Sequence, residues 1–238
     1  MTNLRDIWVY LSASPLLHLT LTLVAYSAGF AIYRRFRFNP LLNPVLLAAG
    51  ALVAILLATG TDYHTYFQGA QFVHFLLGPA TVALAVPLYR HLDRVRRSGL
   101  AVFVSVVTGS LTAAASAVAI VWALGGSRDS MVSIAPKSVT APVAMGVAEQ
   151  LGGLPSLTAA LVILTGILGA MLGPPLLQVL RIKDWAAQGL AMGVASHGIG
   201  TARALQANEA AGAFAGLAMG LNALATSLLL PALWRLLF

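Results

Sequence analysis

The chain has 238 residues, of which 59% are hydrophobic and only 9% charged, and its mean hydropathy is +0.86. Soluble domains carry about a quarter charged residues, so this composition excludes an ordinary water-soluble fold and puts the chain in a bilayer. The formal net charge of +7 does not point to nucleic acid, because the basic residues flank apolar runs, where they set membrane orientation, and the absence of cysteine excludes disulfides and thiol chemistry.

The opening MTNLRDIWVYLSASP lacks the basic n-region and short apolar core of a cleaved signal peptide, so the first apolar run is expected to be retained. Runs of spanning length follow at 16–33, 41–60, 71–90, 99–124, 157–180, 187–206 and 210–237, with 131–150 as an eighth. Asn39-Pro40 and Asn43-Pro44 read as a helix start, and Tyr63 and Tyr66 as interfacial aromatics or the mouth of a pathway. Charge decides the eighth run. If the first helix runs outside to inside, Arg34, Arg35, Arg37 and Arg90, Arg94, Arg96, Arg97 are cytoplasmic, and 131–150 begins outside. A full crossing would export Arg181, Lys183 and Arg235, whereas a re-entrant segment keeps them inside. On that reading Arg5 and Arg128 lie outside, and Lys137 and Arg203 lie within the membrane. Pro136, Pro142 and the closing Gly152, Gly153 and Pro155 also favour a broken, re-entrant segment. Bare backbone at that depth is tolerated only where protein or a watery cavity surrounds it.

The order helix, helix, glycine-interrupted helix, long helix occurs twice, in 1–125 and in 126–238. The interrupted members share Gly78-Pro79-Ala80-Thr81 and Gly198-Ile199-Gly200-Thr201. The expected fold is therefore an all-α polytopic membrane protein of seven to eight segments, built from two inverted repeats with discontinuous or re-entrant helices, the plan by which many secondary transporters form a midplane site.

Each polar group at that depth has a plain reading and a sharp one. Lys137 either snorkels to the headgroups near Arg128 and Asp129 or waits for an anion beside the hydroxyls of Ser138 and Thr140. Arg203 either pairs with Glu209 or Glu149 or offers its fork to a carboxylate. His197 is a core histidine or a proton carrier, and Glu149 a membrane-edge residue or a coupling group. Thr81, Ser138, Thr140 and Thr201 either bond back to their own helices or join free N–H groups in an anion cradle. The spacings Gly169/Gly173, Gly189/Gly193 and Gly212/Gly216/Gly220 put small residues on one helical face, for tight packing or for a moving bundle.

The stretches PKSVTAPVAM (136–145), SHGIGTARAL (196–205) and LLGPATVALAVPLY (76–89) resemble the LrgB/CidB family of bacterial inner-membrane proteins, and the resemblance covers nearly the whole chain. It implies an antiholin-like protein or regulator of murein hydrolase export that works beside a small LrgA- or CidA-like membrane partner. It also implies kinship with a plant chloroplast glycolate/glycerate translocator and with bacterial relatives linked to pyruvate uptake.

Together these readings lead to the expectation of a monocarboxylate transporter of the glycolate, glycerate, pyruvate and lactate class in the bacterial inner membrane. Its site is expected at Lys137, Ser138, Thr140, His197, Gly198, Gly200, Thr201, Arg203, Gly78, Pro79 and Thr81, with Glu149 or His197 as coupling groups, and with no metal or cofactor. A homodimer through glycine-faced or long helices is the expected assembly. The contrasting class is an antiholin-like regulator without transport of its own, in which Lys137 only snorkels. No metalloprotease or serine-hydrolase motif is present, so an enzyme is not expected.

Overall fold

The computed structural model describes residues 14–237, so Arg5 and most of the opening stretch lie outside the described residues. The chain divides into two compact units, Met1–Ala83 and Leu84–Phe238.

In the first unit α1 (Pro15–Arg35) is followed by a 3₁₀ turn (Pro40–Leu42), α2 (Pro44–Thr59), α3 (Tyr63–Phe75) and α4 (Leu77–Ala83). The Asn-Pro pair starts α2 as expected: Asn43 Oδ1 accepts the N–H of Val45 at 2.8 Å, and Pro44 occupies the first turn, where no N–H is needed. Gly60, at φ 64°, ends it. The Tyr66 hydroxyl lies 2.9 Å from that of Thr22 and ties α3 to α1. Gly78, Pro79 and Thr81 sit exposed in α4. The interruption expected at Gly78-Pro79 falls at Leu76, which keeps right-handed helical angles (φ −68°, ψ −11°), so the chain is not reversed there.

The second unit contains α5 (Ala85–Arg90), α6 (Leu92–Arg97), α7 (Gly99–Ala123), α8 (Arg128–Ile134), α9 (Ala141–Gln150), α10 (Pro155–Val179), α11 (Trp185–Ala207) and α12 (Glu209–Leu237). Among the described residues five helical stretches are long and apolar enough to cross a membrane: Pro15–Arg35, Tyr63–Arg90, Gly99–Ala123, Pro155–Val179 and Glu209–Leu236, with Pro44–Thr59 a shorter apolar helix.

The segment 131–150 is broken, and it doubles back. Two tight turns, Lys137 N–H to Ile134 O at 3.1 Å and Val139 N–H to Pro136 O at 3.2 Å, separate α8 from α9, and Pro142 falls in the first turn of α9. Ser133, at the end of α8, accepts the N–H of Leu154 at 2.9 Å on its hydroxyl, while its carbonyl accepts the Thr158 hydroxyl at 3.0 Å. Twenty-one residues of straight helix would separate Ser133 from Leu154 by roughly 30 Å. The segment is therefore a hairpin.

Segment 187–206, expected to be a spanning helix with a glycine break, is a second hairpin. His197 has φ 41° and ψ −131°, and beyond it the chain runs back beside itself. A Cβ on Gly200 would collide with the Met192 carbonyl oxygen, and Gln188 and Ala207 line the same small cavity, although an unbroken helix would hold them about 28 Å apart. The glycines allow this packing. Added Cβ atoms on Gly189 and Gly193 would strike the carbonyls of Ala211 and Ala215 on α12, and on Gly169 and Gly173 the side chains of Ser196 and Met192.

This reversal corrects the position of Arg235. Because 185–207 returns to the end it came from, α12 starts there and finishes at the opposite end, where Trp234 and Leu230 pack with Val132 and Val147. Arg90 with Glu209 (2.9 Å) and Arg94 with Asp184 pair at the other end. Exposed pairs of this kind contribute at most about 1 kcal/mol each, but they locate the helix ends. The end that carries Arg90, Arg94, Arg96, Arg97, Arg181 and Lys183 is the cytoplasmic one by the positive-inside rule, and the end with Arg128 and Arg235 is outside.

The chain has no native thiol, so single cysteines report topology directly. In intact cells a membrane-impermeant maleimide should label Arg128→Cys and Arg235→Cys, and should label Lys183→Cys only after permeabilisation; labelling of position 235 together with 183 would restore a crossing at 187–206. Asp184 caps α11 by accepting the Ala187 N–H at 2.9 Å. That bond first of all, and Arg94 with it, holds the Asp184 carboxyl below its usual pKa against the opposing effect of burial. With the folded value depressed, the contribution is present at neutral pH and is lost as pH falls below about 4. Asp184→Ala should lower thermal stability by about 1 kcal/mol at pH 7, and Asp184→Asn, an equally good cap, by clearly less.

Candidate functional site

The two hairpins enter the second unit from opposite ends, and their tips meet on α12. Asn222, 1% exposed, donates from Nδ2 to the carbonyl of Ser138 at 3.2 Å and to that of Val194 at 3.0 Å. Tip residues of an interrupted helix have carbonyls without helical partners, and in an apolar interior each unmet one costs about 1–3 kcal/mol. One amide nitrogen serves both. The sequence reading did not single out Asn222. Its signal is an asparagine in the apolar run Leu221–Leu230, where a polar side chain has no reason to be unless it bonds something.

At the first tip Lys137 is half-buried, with Nζ 3.4 Å from the Ser138 hydroxyl. Among the described residues Lys137 forms no ion pair with a carboxylate. Thr140 is the N-terminal cap position of α9, half-buried, and its side chain makes no cap bond. Glu149 stands exposed at the far end of the same helix.

At the second tip the positive φ falls on His197 and not on the neighbouring glycine, a conformation that costs a non-glycine residue of order 1–3 kcal/mol. Two bonds hold it there. His197 Nε2 donates to the Val162 carbonyl on α10 at 3.0 Å, and the buried Thr201 hydroxyl donates to the His197 carbonyl at 2.8 Å. Because a carbonyl can only accept, Nε2 carries the proton and Nδ1 is the basic nitrogen of the neutral ring. Because Asn222 bonds the carbonyls of both Ser138 and Val194, the two tips share one environment. Gly198 is exposed at the start of the return limb, and Gly200 packs against the outgoing one.

Arg203 does not join the tips. It lies half-buried six residues along the return limb, about 9 Å further on, and lines a cavity of about 40 Å³ with Pro174, Leu177, Gln188 and Met192. That is room for little more than a water. Gly78, Pro79 and Thr81 belong to the first unit, and the tips are formed without them. A larger cavity of about 160 Å³ lies between α7 and α12, and its lining is apolar apart from Ser110 and Thr226, whose hydroxyls bond each other at 2.9 Å.

Chemically, the tips bring together one ammonium, hydroxyls on both hairpins and the N-termini of α9 and of the return limb, whose free N–H groups and dipoles favour negative charge. Replacing Asn222 by Leu would leave the Ser138 and Val194 carbonyls unmet. Asn222→Leu is expected to lower the unfolding temperature of the detergent-solubilised protein by several degrees, a loss of at least about 2 kcal/mol, whereas the same change at exposed Gln206 should be silent.

The chain matches the LrgB-like family over residues 22–236. It is 36% identical to the Holin-like protein CidB of Staphylococcus epidermidis over 224 residues, 94% of this chain and 96% of that protein. It is 35% identical to the Holin-like protein CidB of Staphylococcus aureus over 218 residues, 92% and 95% of the two chains. The Uncharacterized protein YxaC of Bacillus subtilis is 38% identical over 211 residues, 89% and 91%. No solved structure matches. With the family matched over nearly its whole length and the helices long and apolar enough to span a bilayer, the chain is a multi-pass bacterial membrane protein and a member of the LrgB-like family.

Proposed function

We propose that this protein carries small monocarboxylates, of the glycolate, glycerate, pyruvate and lactate class, across the membrane by alternating access around the paired hairpin tips. The observation that carries the reading is Lys137, a half-buried ammonium with no carboxylate partner among the described residues, held where two interrupted backbones converge. Such a charge costs about 2.5–3.5 kcal/mol at the centre of a membrane helix on insertion scales. A cation whose one hydrogen bond among the described residues is to a neighbouring hydroxyl is a reasonable counter-charge for a substrate. Within the second unit a hairpin followed by a long helix occurs at 128–150 with 155–179 and again at 185–207 with 209–237, with the two hairpins entering from opposite ends, an order that is compatible with access from either face.

In this reading the carboxylate meets Lys137, Ser138, Thr140 and the N-terminus of α9. Thr201, Gly198 and Gly200 shape the second tip, and His197 Nδ1 is the group for proton coupling in preference to exposed Glu149. Arg203 takes the substrate as it leaves toward the cytoplasmic end.

The relatives named Holin-like protein CidB favour a second reading, an antiholin-like regulator of murein hydrolase export that works beside a small LrgA- or CidA-like partner and does not itself transport. Lys137→Met separates the two. In liposomes containing the purified protein alone, saturable uptake of labelled glycolate, glycerate, pyruvate or lactate should fall at least tenfold in Lys137→Met and several-fold in Arg203→Ala. Because Lys137 has no ion partner, the unfolding temperature of Lys137→Met should be unchanged or raised. Absence of uptake in the folded wild type would give the regulatory reading the stronger case.

A further inference from the structure

The cavity of about 160 Å³ between α7 and α12 serves neither the hairpin tips nor the surface ion pairs. Its lining runs from the Ser110–Thr226 hydroxyl pair, near the middle of α7, to Val118 and Trp234. Positions 110 to 118 on α7 and 226 to 234 on α12 each amount to about 12 Å of helix. Half of the hydrocarbon core is about 15 Å deep. The space therefore lies along one leaflet, and it is the outer one, because α7 and α12 both finish at the outer face. Its inner wall is packed, since Ala114, Val118, Leu230 and Trp234 also meet Val132 and Val147 of the first hairpin. Its lip is open: Leu111 and Ala115 are exposed.

An apolar space of this size does not hold water, and left empty it deprives the side chains around it of their contacts. Shape and charge select the occupant. A helix is about 10 Å across, so a second copy or another membrane helix can cover the lip but cannot enter. A lipid tail is thin and apolar and already lies along this depth. The mouth is basic on the groove's own two helices: α7 has no charged side chain, and α12 has Glu209 at its cytoplasmic end and exposed Arg235 directly after Trp234 at the outer one. Arg128, Asp129 and Glu149, all on the first hairpin, share that face. We infer that the groove seats one tail of an anionic phospholipid from the outer leaflet, with the lipid phosphate against the Arg235 guanidinium, whose fork matches it. The tail backs the first hairpin, because Val132 and Val147 rest on the same Leu230 and Trp234 that line the groove. This seat stands whether or not the chain carries carboxylates.

The test is native mass spectrometry of the full chain, released into a neutral detergent from nanodiscs of equal parts phosphatidylglycerol and phosphatidylcholine with the same tails. One lipid should stay bound, with phosphatidylglycerol favoured about fivefold, the preference that one basic residue near a membrane surface supports. Added phosphatidylglycerol should also raise the wild-type unfolding temperature by several degrees. Ala115→Phe fills the groove from its open lip, and should lose both the retained lipid and the thermal response. Arg235→Gln should keep a lipid and lose the preference. No retained lipid in the wild type overturns the inference, as does retention in Ala115→Phe equal to that of the wild type. A wild-type dimer that Ala115→Phe turns into a monomer makes a second copy the occupant and overturns it too. A preference that survives in Arg235→Gln overturns the phosphate contact, and this arm decides even where Ala115→Phe fails to fold.

Discussion

The interaction on which the second unit depends is the pair of hydrogen bonds from one amide nitrogen to two carbonyls. A helix carried through a bilayer satisfies its own backbone, and a chain that stops halfway and turns does not. Each hairpin tip here leaves polar backbone exposed in an apolar interior, and neither could remain there alone. Asn222 answers for both at once, which is why the tips meet on α12 and not at separate places along it. The other features follow: His197 held in a strained conformation by α10, glycines that let the outgoing limb lie against Ala211 and Ala215, and Lys137 set beside Ser138 on the tip that Asn222 joins to the second hairpin.

Magnitudes separate what holds the fold from what serves a ligand. The surface pairs of Arg90 and Arg94 contribute little and act as markers of one membrane face. The hairpin bonds are buried and lack water to replace them, so their loss is expensive. Lys137 has the opposite balance: it has been taken out of water with no carboxylate to offset the cost, and removing its charge should not destabilise the fold. This asymmetry is the physical ground for reading Lys137 as functional and Asn222 as structural.

Two glycine patterns show how one signal can have different outcomes. Gly189 and Gly193, and Gly169 and Gly173, are occupied inside the chain, where they bring helices into backbone contact. Gly220, in the same kind of spacing on α12, has nothing within 4 Å of an added Cβ. Spacing says that a close approach is permitted; which partner accepts it depends on where the neighbouring helices run.

Composition, apolar run lengths and the prolines of 131–150 determined by themselves that this is an all-helical membrane protein with a broken segment. The motif around Lys137 and the Asn-Pro helix start were legible for the same reason, since proline and an isolated charge act locally. The second reversal was not. A break was expected at 198–200 and falls one residue earlier, on His197, but the reversal is held by the Val162 carbonyl on α10, which the local sequence does not record. With it went the side of the membrane assigned to Arg235 and the spanning sense of α12. Only the tertiary structure brought Ser138, Val194 and Asn222 together from positions tens of residues apart, because an unpaired carbonyl finds its donor through space, and the linear chain does not record which donor that will be.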